Sequence, residues 1–130
     1  MPTHNSAEKV KVLVIDDNTG ILFSLKQALT FNGYEVYISE TFQGVVAIEK
    51  MAPDLLFLDI SLVGADGREI ARELKGDART KHIPIVILTA YPNADELAKE
   101  AGADDFLSKP FELTQLWEIA AKYTQRAASI

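Results

Sequence analysis

The chain has 130 residues, of which 48% are hydrophobic and 25% charged, a size and balance that suit one globular domain with one core. It has no cysteine, which excludes disulfides and thiolate metal sites, and its net charge of −6 argues against direct nucleic-acid binding. No apolar run is long enough to span a membrane and residues 1–8 carry no signal-peptide core, so we expect a cytoplasmic protein.

Apolar runs alternate with amphipathic stretches along the chain. Three of the runs are nearly continuous in Val, Ile and Leu, which is typical of parallel strands covered on both faces, and the stretches between runs have helical spacing. The first predicted elements are a strand at Val10–Ile15, a helix through Ile21–Leu29 that stops at Asn32, a strand at Tyr34–Ile38, a helix at Val45–Met51 and a strand at Leu55–Asp59. The later ones are a helix at Gly67–Lys75, a strand at Ile83–Leu88, a helix at Asp95–Ala101, a strand at Asp105–Ser108 and a helix from Leu113 to about Arg126.

The alternation of five strands with five helices predicts the fold class. It indicates an α/β fold with a doubly wound, five-stranded parallel sheet and helices on both faces, in three layers. The last helix is predicted to bury Leu113, Leu116, Ala120 and Tyr123. We assign one domain to residues 9–126 and a lead-in to residues 1–8, and we expect no effector domain after the last helix.

Polar residues stand at the carboxyl ends of four predicted strands. The first strand is followed by Asp16 and Asp17, the third ends on Asp59, the fourth is followed by Thr89 and the fifth by Lys109. Open α/β sheets bind ligands at this edge, so neighbouring strands would bring these side chains into one shallow pocket. Taken singly, each has an ordinary interpretation: helix N-caps, a turn acid, a locally bonded hydroxyl and a solvated lysine. Their joint placement favours a functional site.

The chemistry of these side chains favours phosphoryl transfer. Three carboxylates in one pocket repel each other, and a hard divalent cation such as Mg²⁺, which prefers oxygen ligands, relieves that repulsion. Lys109 adds a fixed positive charge and Thr89 adds a hydroxyl donor. A carboxylate then remains available as the nucleophile.

The chain from about Val10 to Tyr123 resembles the receiver domain of two-component response regulators. The matching segments are, in this order, VLVIDD (Val12 to Asp17), GYEV (Gly33 to Val36), PDLLFLDI (Pro53 to Ile60), DG (Asp66 and Gly67), IPIVILTA (Ile83 to Ala90) and AGADDFLSKPF (Ala101 to Phe111). The resemblance implies a flavodoxin-like sheet with strand order 2-1-3-4-5. It also implies a cis peptide bond between Lys109 and Pro110.

A Mg²⁺ site is part of what the resemblance implies. Asp17 corresponds to a direct ligand and Asp59 contributes an oxygen. The backbone carbonyl of Ser61 corresponds to the third protein ligand, and Asp16 would act on the metal through water.

The resemblance also assigns roles in phosphoryl transfer. Asp59 corresponds to the phosphoacceptor, which takes a phosphoryl group from the phosphohistidine of a histidine kinase or a histidine phosphotransfer protein. Lys109 and Thr89 would contact that group, and Phe106 occupies the position of the switch aromatic. Because phenylalanine has no hydroxyl, any switching acts through packing; a core aromatic in a short strand is the other interpretation.

Three positions bear on how this chain departs from the receiver-domain pattern. The family often has a proline four residues after the phosphoacceptor, where this sequence has Val63. The positions that tune dephosphorylation in the family are Ser61 and Tyr91 here. We expect the bulky Tyr91 to shield an acyl phosphate from water.

Output is expected through contact with a downstream protein, on the surface of the fourth helix, fifth strand and fifth helix, and phosphorylation-dependent homodimerisation is left open.

The alternative function is a Mg²⁺-dependent aspartyl-phosphate phosphatase of the haloacid-dehalogenase type. That class needs a second acid where this chain has Ser61. A flavin or dinucleotide binder is disfavoured because the loop at residues 16–18 would repel a phosphate.

Overall fold

A five-stranded parallel sheet forms the centre of the computed structural model, which describes residues 9–124. The strands along the chain are β1 (Lys11–Ile15), β2 (Glu35–Ser39), β3 (Leu55–Asp59), β4 (Ser61–Leu62), β5 (Ala65–Asp66), β6 (Ile85–Thr89) and β7 (Asp105–Ser108). The main sheet has the order β2-β1-β3-β6-β7 with every pair parallel. This is the predicted 2-1-3-4-5 order, since β4 and β5 form a separate antiparallel hairpin.

Five helices flank the main sheet, four between its strands and one after the last strand. They are α1 (Thr19–Phe31), α2 (Val45–Met51), α3 (Gly67–Lys75), α4 (Ala94–Ala101) and α5 (Leu113–Thr124). Asn18 caps α1 by accepting a hydrogen bond from the amide of Ile21. Asp66 caps α3 by accepting one from the amide of Arg68. Gly102 ends α4 in the left-handed conformation. None of the helices between residues 9 and 124 is long and apolar enough to cross a membrane.

The sheet separates two hydrophobic cores, which together make the three predicted layers. Successive strand residues point to opposite faces, so Leu55 and Phe57 join the core under α1 and α5, while Leu56 and Leu58 join the core under α2, α3 and α4. All five residues of β3 are buried. A strand covered on both faces has no solvent side, which explains its continuous apolar run.

Most predicted boundaries agree with the structure, and the differences have local causes. The fourth predicted strand began at Ile83, but β6 begins at Ile85 because Pro84 has no amide hydrogen to give to the ladder. The hairpin of β4 and β5 was not predicted. Leu113 was predicted to be buried and is 52% exposed, because α5 begins beyond the edge of the core. The predicted domain and last helix extended to residue 126, so their final two residues lie outside the described range, as does the predicted lead-in of residues 1–8.

Candidate functional site

The predicted polar residues meet at the carboxyl edge of the sheet. Strands β1, β3 and β6 are adjacent, and their carboxyl ends carry Asp16, Asp59 and Thr89. The side chains of Asp16, Asp17 and Asp59 each offer an oxygen, and these oxygens lie within 4.8 Å of one another. The convergence expected from strand order is therefore confirmed, and it brings three acids into one cluster.

Lys109 links two of these acids. Its Nζ donates hydrogen bonds to Oδ2 of Asp16 at 2.9 Å and to Oδ1 of Asp59 at 3.3 Å. The Asp16 side chain is fully buried and that of Lys109 is only 18% exposed, so the lysine is not the solvated surface residue that its position alone would suggest. The Lys109 amide donates to the Thr89 carbonyl at 2.8 Å, and the following bond to Pro110 is cis, as predicted.

The electrostatic balance of the cluster favours added positive charge. Burial raises the pKa of the Asp59 carboxyl above its ordinary value of 3.8, and the neighbouring charge of Asp16 raises it further. The charge and hydrogen bond of Lys109 lower that pKa, but the net shift is upward. An all-oxygen donor set with excess negative charge is what Mg²⁺ prefers in proteins, so the residues fit a hard divalent cation.

The acids after β1 are held by backbone amides. Oδ1 of Asp16 accepts a hydrogen bond from the amide of Asn18 at 2.9 Å, and Oδ2 of Asp17 accepts one from the amide of Val63 at 3.0 Å. The N-cap of α1 is Asn18, so the interpretation of the two acids as helix caps is wrong. Both carboxylates instead accept hydrogen bonds from backbone amides in the loops at the carboxyl edge of the sheet.

Gly67 allows α3 to start against the end of β3. A β-carbon at this position would lie 2.3 Å from the carbonyl oxygen of Asp59 and 2.7 Å from Cα of Ile60. The Gly67 amide donates to the Ile60 carbonyl at 2.9 Å, which fixes this close approach. The backbone that carries Asp59 is therefore packed directly on the first residue of a helix.

The predicted tuning residues stand together beside Thr89. Thr89 is fully buried, and its Oγ1 accepts a hydrogen bond from the amide of Tyr91 at 3.0 Å. Tyr91 is 54% exposed, and its hydroxyl lies 3.5 Å from Oγ of Ser61. These two side chains border a cleft of about 510 Å³ that Arg68 and Asn93 also line. Tyr91 is thus tied to Thr89 through its amide, and its hydroxyl lies beside Ser61, two residues after Asp59.

Phe106 lies on the face of the sheet that α4 covers. It pairs with Ile87 across β6 and β7, and it is half-buried against the core under α2, α3 and α4. Thr89 pairs with Ser108 in the same ladder. The two proposed switch positions therefore belong to adjacent strands.

Two contacts of this site were not predicted from the sequence. The hydrogen bond from Val63 to Asp17 joins positions 46 residues apart, and no local pattern encodes it. The only sequence feature that bears on this bond is that residue 63 is not proline, so it keeps an amide hydrogen that can donate. The tight contact of Gly67 with Asp59 was not predicted either, since Gly67 was expected only to begin a helix.

Comparison with known proteins gives the family of this chain. A family model described as response regulator receiver domain matches residues 12–121. The response regulator MprA of Mycobacterium tuberculosis is 40% identical over 112 residues, covering 82% of this chain and 47% of that protein. The chain thus spans about half the length of the curated relatives that it matches.

Two solved structures are also similar. A putative response regulator from Chloroflexus aurantiacus has a TM-score of 0.84 and 31% identity, over 92% of this chain and 100% of that one. The receiver domain of a sensor histidine kinase from Pseudomonas aeruginosa, with a magnesium ion coordinated in its active-site cleft, has a TM-score of 0.82 and 26% identity, over 91% and 99%. Nothing in these similarities supports the phosphatase alternative. The chain belongs to the response regulator receiver domain family and is a signalling domain of two-component systems.

Proposed function

We propose that this domain accepts a phosphoryl group on Asp59 from the phosphohistidine of a histidine kinase or a histidine phosphotransfer protein. The observation that carries the proposal is the position of the Lys109 ammonium between Asp59 and Asp16. An Asp59 oxygen forms a bond to phosphorus while the bond from phosphorus to the imidazole nitrogen breaks. The electron pair of the broken bond stays with the imidazole, and an acyl phosphate results.

The acid cluster is the proposed Mg²⁺ site. Asp17 and Asp59 would be direct ligands together with the backbone carbonyl of Ser61, and Asp16 would act through water. When bound, Mg²⁺ neutralises negative charge on the phosphoryl oxygens. The carboxylate oxygens within 4.8 Å of one another support this assignment, as does the raised pKa of Asp59.

Lys109 and Thr89 are the proposed contacts of the phosphoryl group. Lys109 already approaches Asp59 at 3.3 Å, so its ammonium can donate to a phosphoryl oxygen on that side chain. The Thr89 hydroxyl accepts from the Tyr91 amide, which leaves its own hydrogen to donate. Movement of Thr89 toward the phosphoryl group would change the packing around Phe106, and this is the proposed switch.

The proposed output surface consists of α4, β7 and α5. It includes Phe106 on β7. It also carries a polar network in which the Tyr123 hydroxyl donates to Oδ2 of Asp105 at 2.8 Å and Lys122 pairs with the same carboxylate at 3.4 Å. A repacking of Phe106 beside Asp105 would alter this network. We propose that a downstream protein, or a second phosphorylated copy, reads that change.

Phosphorylation by a small donor tests the assignment of Asp59. The protein is incubated with Mg²⁺ and acetyl phosphate, and intact mass spectrometry counts the phosphoryl groups. We expect one base-labile, acid-stable group that needs Mg²⁺ and is lost in Asp59→Asn. If Asp59→Asn takes up phosphate to the same extent as the wild type, the proposed phosphoacceptor is wrong.

A further inference from the structure

The loop after β3 forms a hairpin whose turn has only two residues. Ser61 pairs with Asp66 and Leu62 pairs with Ala65, so Val63 and Gly64 make the turn. Gly64 has φ of +73°, and Ala52 is the only non-glycine residue with positive φ in the described range, so Val63 has negative φ. This sequence of φ values matches a type II turn, in which proline is common at the first central position.

Val63 contributes to the structure through its backbone. Its side chain is 85% exposed, so it adds little packing to the hairpin. Its amide donates a 3.0 Å hydrogen bond to Oδ2 of Asp17, which follows β1 in a different part of the chain. The hairpin is therefore tied to the acid cluster by a group that a proline at the same place would lack.

This hydrogen bond fixes the orientation of a carboxylate within the acid cluster. A carboxylate has about four acceptor positions on its two oxygens, so the bond to Oδ2 leaves Asp17 able to bind a cation. Groups that hold a ligating side chain in place typically contribute about 10- to 100-fold to metal affinity. We infer that Val63 is a positioning residue whose main-chain amide orients Asp17 for a divalent cation, an inference that rests on the proposed Mg²⁺ site.

Two substitutions at position 63 separate the amide from the side chain. Val63→Pro removes the amide hydrogen, and it suits both the turn and the extended residue Leu62 before it. Val63→Ala keeps the amide and removes most of the exposed side chain. Mg²⁺ affinity of the wild type and both variants is measured by calorimetric titration, with thermal melting in chelator as a check on folding.

The two variants should differ in Mg²⁺ affinity. We expect Val63→Pro to bind Mg²⁺ about tenfold more weakly than the wild type, at the low end of such positioning effects. Val63→Ala should bind as the wild type does. Equal affinity of the proline and alanine variants, in a protein whose wild type binds Mg²⁺ and accepts phosphate on Asp59, overturns this inference and leaves the proposed function standing. A wild type that binds no Mg²⁺ overturns both.

Amide exchange tests the same contact without a proline variant. Hydrogen exchange of the Val63 amide is followed by NMR in the metal-free protein. Asp17→Ala removes the acceptor, whereas Asp17→Asn keeps an acceptor oxygen in place. We expect exchange at Val63 to be at least about tenfold faster in the alanine variant and close to wild type in the asparagine variant, since only the first loses the bond. Equal exchange in all three proteins contradicts the inference even if Val63→Pro does not fold.

Discussion

The ammonium nitrogen of Lys109 lies 3.3 Å from Oδ1 of Asp59, although 50 residues separate the two in sequence. The same nitrogen lies 2.9 Å from Asp16, whose side chain is fully buried. Lys109 is therefore the cation that the described structure places between two carboxylates with little access to water. Its loss would leave both acids without that partner, which is costlier than the loss of a surface ion pair.

Replacement of Lys109 should destabilise the metal-free domain. We expect Lys109→Met to lower the free energy of unfolding at neutral pH by about 2–3 kcal/mol, because removal of one partner leaves buried negative charge unpaired. The matched control is Lys122→Met, which breaks the pair between an exposed lysine and Asp105 and should cost at most about 1 kcal/mol. Urea unfolding in chelator measures both, and similar losses for the two variants would contradict the structural role of Lys109.

Asp59→Asn should stabilise the metal-free domain, with a defined pH dependence. The folded-state pKa of Asp59 is raised above 3.8, chiefly by burial and by Asp16, so the native state holds this proton more tightly than the unfolded state does. Stability is therefore lost as pH rises from about 3.8 through the raised pKa. Asparagine carries no charge, so the variant should gain on the wild type across that window and keep the advantage at neutral pH.

Added Mg²⁺ should stabilise the wild type more than it stabilises Asp59→Asn. A ligand that binds only the folded state at about 100 times its Kd adds about 2.7 kcal/mol of stability. The wild type should gain this amount, and Asp59→Asn should gain less because it has lost one carboxylate of the cluster. Melting curves at several pH values with and without Mg²⁺ give both results. A variant less stable than the wild type in chelator at neutral pH would show that the charge of Asp59 carries no penalty.

The sequence predicts the sheet and the acid cluster because both follow local patterns. The run that ends on Asp59 is continuous since β3 is buried on both faces, and the order of elements then places Asp16, Thr89 and Lys109 at one edge. The helix that begins at Gly67 was predicted with the bounds observed. Periodicity predicts the elements and places the polar residues at strand ends, whereas the strand order that brings them together is implied by the resemblance to receiver domains.

The remaining features depend on where elements start, end and pack against each other, which a local sequence pattern does not show. The strands of the hairpin have two residues each, too short to show alternation. Leu113 has the spacing of a buried helical residue, but the pattern does not say how far α5 extends past the core. Asn18 is the N-cap of α1 because β1 ends at Ile15, so Asp16 and Asp17 lie before the start of the helix.

Gly67→Ala should damage both stability and phosphorylation. The added β-carbon would lie 2.3 Å from the Asp59 carbonyl oxygen, and main-chain atoms cannot turn aside as a side chain can. We expect a loss of about 1–3 kcal/mol, the usual cost of overpacking, and slower phosphorylation because the backbone of Asp59 must shift. The control is Gly20→Ala, where the nearest atom is the side-chain oxygen of Asn18 at 3.2 Å. Equal stability of the two variants in urea unfolding would mean that the backbone relaxes freely at Gly67.

Tyr91 should prolong the life of the phosphorylated state. Its hydroxyl lies 3.5 Å from Oγ of Ser61, two residues after Asp59, and its amide donates to Thr89, so we expect its ring to cover a phosphoryl group on Asp59. Removal of the ring admits water to the acyl phosphate, so Tyr91→Ala should lose phosphate about three- to tenfold faster, a change of about 1 kcal/mol in activation free energy. The measurement is the decay of the phosphorylated protein by intact mass spectrometry after the donor is removed.

Tyr91→Phe separates the ring of Tyr91 from its hydroxyl. The phenylalanine keeps the ring but loses the hydroxyl that contacts Ser61. If the ring excludes water, this variant should decay at nearly the wild-type rate while Tyr91→Ala decays faster. If the hydroxyl matters instead, both variants should decay at the same raised rate. Loss of phosphate from Tyr91→Ala that is equal to or slower than that of the wild type would contradict the shielding role altogether.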